Sequence, residues 1–563
     1  MIKNHSSTQS FFILSLLLSL LHAQTHAFVI DSVSEKILNT ETFNDNQPLH
    51  NRDISENSNL TITRTENINS FNPFLEQNTF STDHTLCYDS LFMEDVNTYG
   101  RVYPLIASKI IPKDDHKTIE IHIHPKATFA NQMSIHADDV VASIQHLIKK
   151  GPINYHYLAS LNLTFTPLES NRFIIQSDKP ISLTTLIQIG LLPITQKEDL
   201  NNTQTQPQTS GEYHLHSSKK NHFVILKKNQ HYWANHLIHR RNMNHFDTIK
   251  IIYIRNAMIA LETFKKQDAD YLWEPIFERW ENIKQLTKKK PKLKLKSIPT
   301  KRPISMKGFT FNMKNPIFKN KEIRKAFNLA FNFEDINNHL FKHNYTRINS
   351  YMTNTPYQQQ SNTISFNLEK ADDILTEQGW IIEKGKRIHH KSKNPLSIRI
   401  LVNDHGNEKI SNIYSQYLKK LGITTVIQKA TQADYTQRIQ QGDFDLAYYL
   451  INNSKISWEQ TMHNFIHHSN HQFGYANLFS LADPNIKKAI QSVNIIKNHT
   501  EKKNAIQEID RYLMEQYYFI PFWYAHEDHI AHWQNIDGPN TPLQINPKDN
   551  FKYWWSTSNQ NNT

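Results

Sequence analysis

The sequence predicts an α/β fold in two or three domains, and three observations carry that expectation. Segments of strand period and segments of helix period alternate along the chain, no stretch repeats internally, and the length outruns a single core. Of 563 residues, about 535 remain after the leader described below, whereas one hydrophobic core stops growing at roughly 250–300 residues.

Taken in order, residues 28–60 are polar and weakly periodic and read as a flexible lead-in. Thr118 to Pro125 alternates apolar and polar residues, as a half-buried strand does. Ala137 to Lys149 then spaces Val140, Val141, Ile144, Leu147 and Ile148 for one helix face. Asp138 and Asp139 fall in its first turn, where the helix dipole favours acids. Phe309 to Asn312 reads as a short strand, and Lys321 to Phe331 as a helix with Ile323, Ala326, Phe327 and Ala330 on one face. Asn332 caps a further helix with Glu334 and Asp335 in its first turn. Lys419-Lys420-Leu421-Gly422 ends a helix on a glycine before the strand Ile423 to Ile427. Helix feeding strand again is α/β layering.

At the start of the chain, Lys3 precedes an apolar run from Phe11 to Leu21 and then small or polar residues ending at Ala27. That order predicts a secretory signal peptide cut near Ala27. The run is about half the length of a membrane span, which argues against an uncleaved anchor. No other segment approaches a span, so the mature chain is expected to be soluble. The one cysteine, Cys87, lies past the cut, which leaves no N-terminal thiol for a lipid and no intrachain disulfide. The expected location is the periplasm, with Cys87 a small buried hydrophobe.

The formal charge is +11, and +10 once Lys3 is subtracted, modest for this length. The densest basic run, Lys288 to Lys296, ends in strict alternation and reads as a strand with its lysines in solvent. Nucleic acid is not an expected partner of an exported chain. Glycine is scarce, 12 residues against roughly 7% in average usage. Asparagine, the next best residue for positive φ, is therefore expected to hold many turns. Neither glycine-rich phosphate loop is present, nor a Gly-x-Ser-x-Gly elbow. His526-Glu527-Asp528-His529 lacks the i, i+4 histidine pair of zinc peptidases and reads as the closing strand and its loop. No enzymatic activity and no cofactor are expected.

Several motifs resemble those of the peptide and nickel class of ABC-importer solute-binding proteins, extracellular solute-binding family five. Asn72-Pro73-Phe74 is similar to the family's first-strand Asn-Pro-Phe. Thr128-Phe129-Ala130-Asn131-Gln132 with Ala137-Asp138-Asp139-Val140-Val141 is similar to its signature, which has Asp-Gly where this chain has Asn131-Gln132. Ser210-Gly211-Glu212-Tyr213 resembles a return strand, and Asn229 to Trp233 an Asn-x-x-Tyr-Trp motif. Met306 to Tyr351, with Asn337 to Phe341 and Tyr345-Thr346-Arg347-Ile348-Asn349-Ser350-Tyr351, resembles the branch for longer or modified peptides, including microcin-type antibiotics.

The resemblance implies a class II periplasmic binding protein fold, with two main lobes around a ligand cleft and an additional inserted domain. Lobe I would combine residues 28–85, 208–302 and 521–563, the inserted domain would span 86–207, and lobe III 303–520. It also implies a monomer that captures oligopeptides or peptide-like compounds, closes on a hinge, and delivers them to inner-membrane ABC permease subunits with cytoplasmic ATPases. Nickel, metal-chelate or haem capture is the alternative within the same fold.

A binder of varied peptides needs an exposed strand edge and roomy side pockets. The resemblance puts that edge at Phe444 to Ser454, where peptide binders carry a Trp and, three residues on, an Asp for the ligand's amine. Those positions are Ile451 and Ser454 here, with Asn453 between them. Glu459 is the candidate amine holder; a surface acid in the first turn of a helix is the competing reading. Trp458, Tyr475, Asn477 and Trp523 are similar to the family's cleft-lining positions, and each reads equally as core; Asn72 and Phe74 of the Asn-Pro-Phe motif are further substrate-binding candidates. Arg347 reads either as a grip for a carboxylate or phosphate or as half of an interlobe salt bridge. His463, His467, His468 and His471 stand at near-helical spacing, and His122 and His124 share a strand face. No cysteine or carboxylate cluster joins them, so no metal site is expected.

Overall fold

The computed structural model describes residues 58–557, apart from 66–69, 76–81, 114–116, 153–154, 156–157, 160, 202–205, 241–242, 360–363, 456, 463–464, 466–483, 494–495 and 497. These residues form two compact units: Arg302–His526, and the chain up to Lys301 together with the chain from Glu527 onward.

In the first unit a five-stranded sheet runs in the order Thr424–Lys429, Ser397–Val402, Leu446–Ile451, Met306–Phe311, Phe519–Pro521. The first three strands are parallel and the last two pair antiparallel. Ile398, Ile400, Leu401 and Val402 form a buried apolar run, as a parallel strand covered on both faces requires. One face packs against the helices Lys321–Leu329, Phe333–Phe341, Leu368–Glu377 and His405–Lys420 through Phe309, Phe311, Phe327, Leu375 and Tyr414. The other packs against Pro484–Val493 and His499–Glu515 through Met306, Ile451, Trp458, Ile490 and Leu513. Local signals place the ends. Asn332 Oδ1 accepts the Asp335 N–H at 3.0 Å, and Gly422 follows the helix His405–Lys420 with φ +73°. A Cβ at Gly422 would stand 2.9 Å from the Arg387 nitrogen, so the turn also needs the missing side chain.

The second unit holds two main sheets. Seven strands in the order Leu293–Pro299, Glu527–Trp533, Tyr271–Trp273, Asn59–Arg64, Thr248–Tyr253, Phe223–Lys228, Tyr213–Lys219 all come from outside residues 86–207. Four antiparallel strands, Ala107–Pro112, Thr118–Ile123, Arg172–Gln176 and Thr164–Glu169, all come from inside that stretch. The helix Ala137–Lys150 buries Val140, Val141, Ile144 and Leu147, the face its periodicity predicts. Cys87 is fully buried, and that burial pushes its thiol well above the usual range.

Three local expectations need correction. Asn72-Pro73-Phe74 is not strand: it follows Asn59–Arg64 as a turn, in which Asn72 Oδ1 accepts the Phe74 N–H at 2.9 Å. The lysines of the basic run are not all in solvent. Lys290 Nζ donates to the Lys265 carbonyl at 2.6 Å, and Lys296 pairs with Asp537 at 2.7 Å.

Asparagine also carries fewer of the left-handed turns than expected. Asn162, Asn221, Asn244 and Asn354 have positive φ, but so do Gln132, Gln267, Lys342, His343, Lys384, Lys393 and Tyr517. In the Asn131-Gln132 pair it is Gln132 that takes φ +68°, while Asn131 Oδ1 accepts the Met133 N–H. A non-glycine residue there costs about 1–2 kcal/mol of backbone strain, partly offset by glycine's larger unfolded-state entropy. Gln132→Gly is therefore expected to stabilise the protein by about 0.5–1 kcal/mol, read from urea midpoints; a loss of stability would refute the strain argument.

Candidate functional site

In the unit Arg302–His526, the strand Leu446–Ile451 has neighbours on both sides, but among the described residues only one covers its length. Met306–Phe311 pairs with all of it, from Phe311 opposite Leu446 to Met306 opposite Ile451. On the other side Ser397–Val402 reaches only Leu446 and Ala447.

The register assigns the polar groups of the uncovered part. The Phe522 N–H donates to the Lys307 carbonyl at 2.8 Å, so Lys307 turns its main-chain groups toward the strand Phe519–Pro521. Alternation along an antiparallel ladder then directs those of Gly308 to Tyr449 and those of Leu450 to the open side. Pro521 agrees with this register, since it stands opposite Gly308, in a pair that exchanges no N–H. Gly308 lets that neighbour in: a Cβ there would lie 2.0 Å from the Ile520 carbonyl oxygen. On the open side the Tyr448 carbonyl accepts from the Tyr435 hydroxyl. Leu450 is 37% exposed, and among the described residues no strand pairs with it there. Such an edge accepts one more extended chain through bonds that ignore side-chain identity.

Past Ile451 the chain turns into the short helix Trp458–Met462. Asn453 binds the turn together: its Nδ2 donates to the Ile304 carbonyl at 3.2 Å and its Oδ1 accepts from Thr461 Oγ1 at 3.1 Å. The Ser454 N–H donates to Thr461 Oγ1 at 3.0 Å, and Ser454 Oγ accepts the Ser457 N–H at 3.1 Å. Glu459, half-buried in the first turn, receives the Ser457 hydroxyl. It also lies near Tyr357, whose phenol burial and the Glu459 charge raise to about 12. Ile451 and Trp458 are core residues packed with Met306, Met462 and Phe465.

Trp523 is buried between Phe333, at 5.9 Å between ring centroids, and Phe341, at 5.0 Å. Opposite it on the neighbouring strand, Arg347 is 5% exposed. Arg347 Nη1 donates to the Ile364 carbonyl at 2.5 Å, while Nη2 has no acceptor among the described residues. Burial lowers its guanidinium to about 10, against a counteracting Glu334 charge with which it forms no ion pair among the described residues. The salt-bridge reading of Arg347 thus finds no partner among the described residues. Asn72 and Phe74 lie in the other unit, both buried, with Phe74 edge-on to Tyr88 at 5.7 Å. Tyr475, Asn477 and the four histidines from His463 to His471 lie outside the described residues. His122 pairs with Glu120 at 2.8 Å, and among the described residues no group of three or more His, Cys, Asp or Glu is placed to hold a metal.

Tyr435 and Lys307, which lie beside this edge, are not among the candidates that residue type marks in the sequence. A lysine in a strand whose other residues are apolar, glycine or threonine was the available signal for the second. Tyr435 left no local trace, because its role arises from contact with a strand elsewhere in the chain.

Comparison with known proteins returns a family model described as bacterial extracellular solute-binding proteins, family 5, which matches residues 101–473. Peptidoglycan-binding protein YepA of Agrobacterium fabrum is 22% identical over 579 residues, covering 90% of this chain and 92% of its own. The oligopeptide-binding protein AppA of Bacillus subtilis, solved with a nonapeptide, has a TM-score of 0.70 at 19% identity, over 88% of this chain and 98% of its own. NikZ of Campylobacter jejuni, solved with Ni(L-His), has a TM-score of 0.72 at 18% identity, over 89% and 100%. No helix among the described residues is long and apolar enough to cross a membrane.

Proposed function

Because the chain belongs to the bacterial extracellular solute-binding proteins of family 5, we propose that its solute is an oligopeptide or peptide-like compound, handed to an ABC permease for import. The observation that carries this reading is the open edge at Leu450, whose main-chain groups can pair with any extended peptide. Modified peptides belong to the same class, and the likeness to YepA makes peptidoglycan-derived peptides a specific case to test. Export to the periplasm by removal of residues 1–27, a monomeric state and a purely binding role complete the proposal. So does the partition into three lobes, supported by the separate sheets built inside and outside residues 86–207.

The deciding experiment is native mass spectrometry of the protein purified from its own periplasm. The expected result is a co-purified peptide or peptidoglycan fragment that is displaced by a pool of pentapeptides. A bound nickel chelate or haem, unaffected by that pool, would replace the peptide reading with the alternative.

A further inference from the structure

We propose that Lys307 makes this protein selective for ligands with an acidic side chain, at the ligand residue that pairs opposite Leu450. This rests on the peptide reading above and adds to it a side-chain preference at one register position.

Lys307 and Leu450 are directly opposite each other in an antiparallel pair, so their side chains share one face of the sheet. The main-chain groups of Leu450 point to the open side, and the residue of an added strand that lies directly opposite Leu450 projects its side chain from that same face. That residue would lie two strand spacings, roughly 10 Å, from the Lys307 backbone. The lysine stem and the stem of an Asp or Glu can together close this gap. Among the described residues Lys307 has no carboxylate partner and no hydrogen-bond acceptor for its side chain.

The surroundings make that isolation costly. Lys307 is half-buried in a strand whose other residues are apolar, glycine or threonine, and Phe522 flanks it on the other side. Burial, reinforced by the neighbouring Arg302 charge, lowers its ammonium to about 8. Asp404 is the acid whose field reaches this end of the sheet, at Tyr435 and Tyr448, but it is held as a helix cap by the Asn407 N–H at 2.8 Å. A ligand carboxylate would relieve both the desolvation and the repulsion from Arg302, and a charge-assisted bond would form only in the complex.

The test uses alanine pentapeptides with a free amine and an amidated C-terminus, carrying one Glu or one Gln scanned through the five positions. Affinities are measured by calorimetry on wild type, Lys307→Met and Lys307→Arg. In one register wild type is expected to prefer Glu over Gln by about 10- to 100-fold. Lys307→Met should remove that gap, with an unchanged urea midpoint showing that the variant is folded, and Lys307→Arg should keep it. A gap that survives Lys307→Met, or no gap in any register of wild type, overturns the proposal. A Lys307-dependent gain seen only when the Gln peptides carry a free C-terminal carboxylate overturns the side-chain assignment. Binding of neither series would instead refute the peptide reading itself, and this inference with it.

Discussion

Leu450→Pro is expected to weaken peptide binding about 10- to 100-fold while leaving stability nearly unchanged. The Leu450 N–H faces the open side of its strand, so proline there removes no bond of the sheet, and proline is tolerated where the N–H faces solvent. A ligand carbonyl meant for that N–H would be left unsatisfied, and the ring would hold the ligand chain off. Tyr449→Pro, one residue away, removes a donor that the register directs at Gly308 and should cost about 3 kcal/mol of stability. Calorimetry with the pentapeptide pool and urea unfolding separate the two effects. Equal stability losses in both variants would mean the register argument is wrong; unchanged affinity in Leu450→Pro would mean the ligand does not use this edge.

The second large effect is a pH dependence centred on Asp510. This carboxylate is 1% exposed and accepts from Ser350 Oγ at 2.6 Å and from the Tyr351 N–H at 2.7 Å, with no cation paired to it among the described residues. Burial raises it to about 7 despite those hydrogen bonds. In an unfolded chain it titrates near its ordinary value of about 4. The folded state therefore binds the extra proton between these values. The stabilisation is complete below about pH 4 and is lost as pH rises through about 7. Asp510→Asn removes the titration, so wild type should lose about 2 kcal/mol relative to this variant between pH 5 and pH 7.5. Other shifted groups, such as Asp89, raised by burial to about 6, are common to both proteins and cancel in the comparison. Parallel stability profiles from urea midpoints at each pH would show that Asp510 stays charged in the fold.

Asp510 also divides the Tyr345–Tyr351 motif. Ser350 and Tyr351 serve to anchor the loop on the helix His499–Glu515, a structural task. Arg347, three residues earlier, stays buried with one guanidinium nitrogen that finds no acceptor among the described residues. The motif reads as one unit in the sequence and acts as two in the structure.

Periodicity, caps and turn residues act within a few positions of each other, so short windows of sequence were enough to place Thr118–Ile123, Ala137–Lys150, the Asn332 cap and the Gly422 stop. Motif spacing was likewise enough for the family. The open edge was beyond such reading, because it exists only where Ser397–Val402 stops pairing with a strand some fifty positions later in the chain. Burial was beyond it too. Trp458 and Ile451 have the residue types of a cleft and the packing of a core. The state of Asp510 depends on Ser350, 160 positions away. Long-range register and desolvation decide which polar groups remain available, and both arise only when distant segments meet.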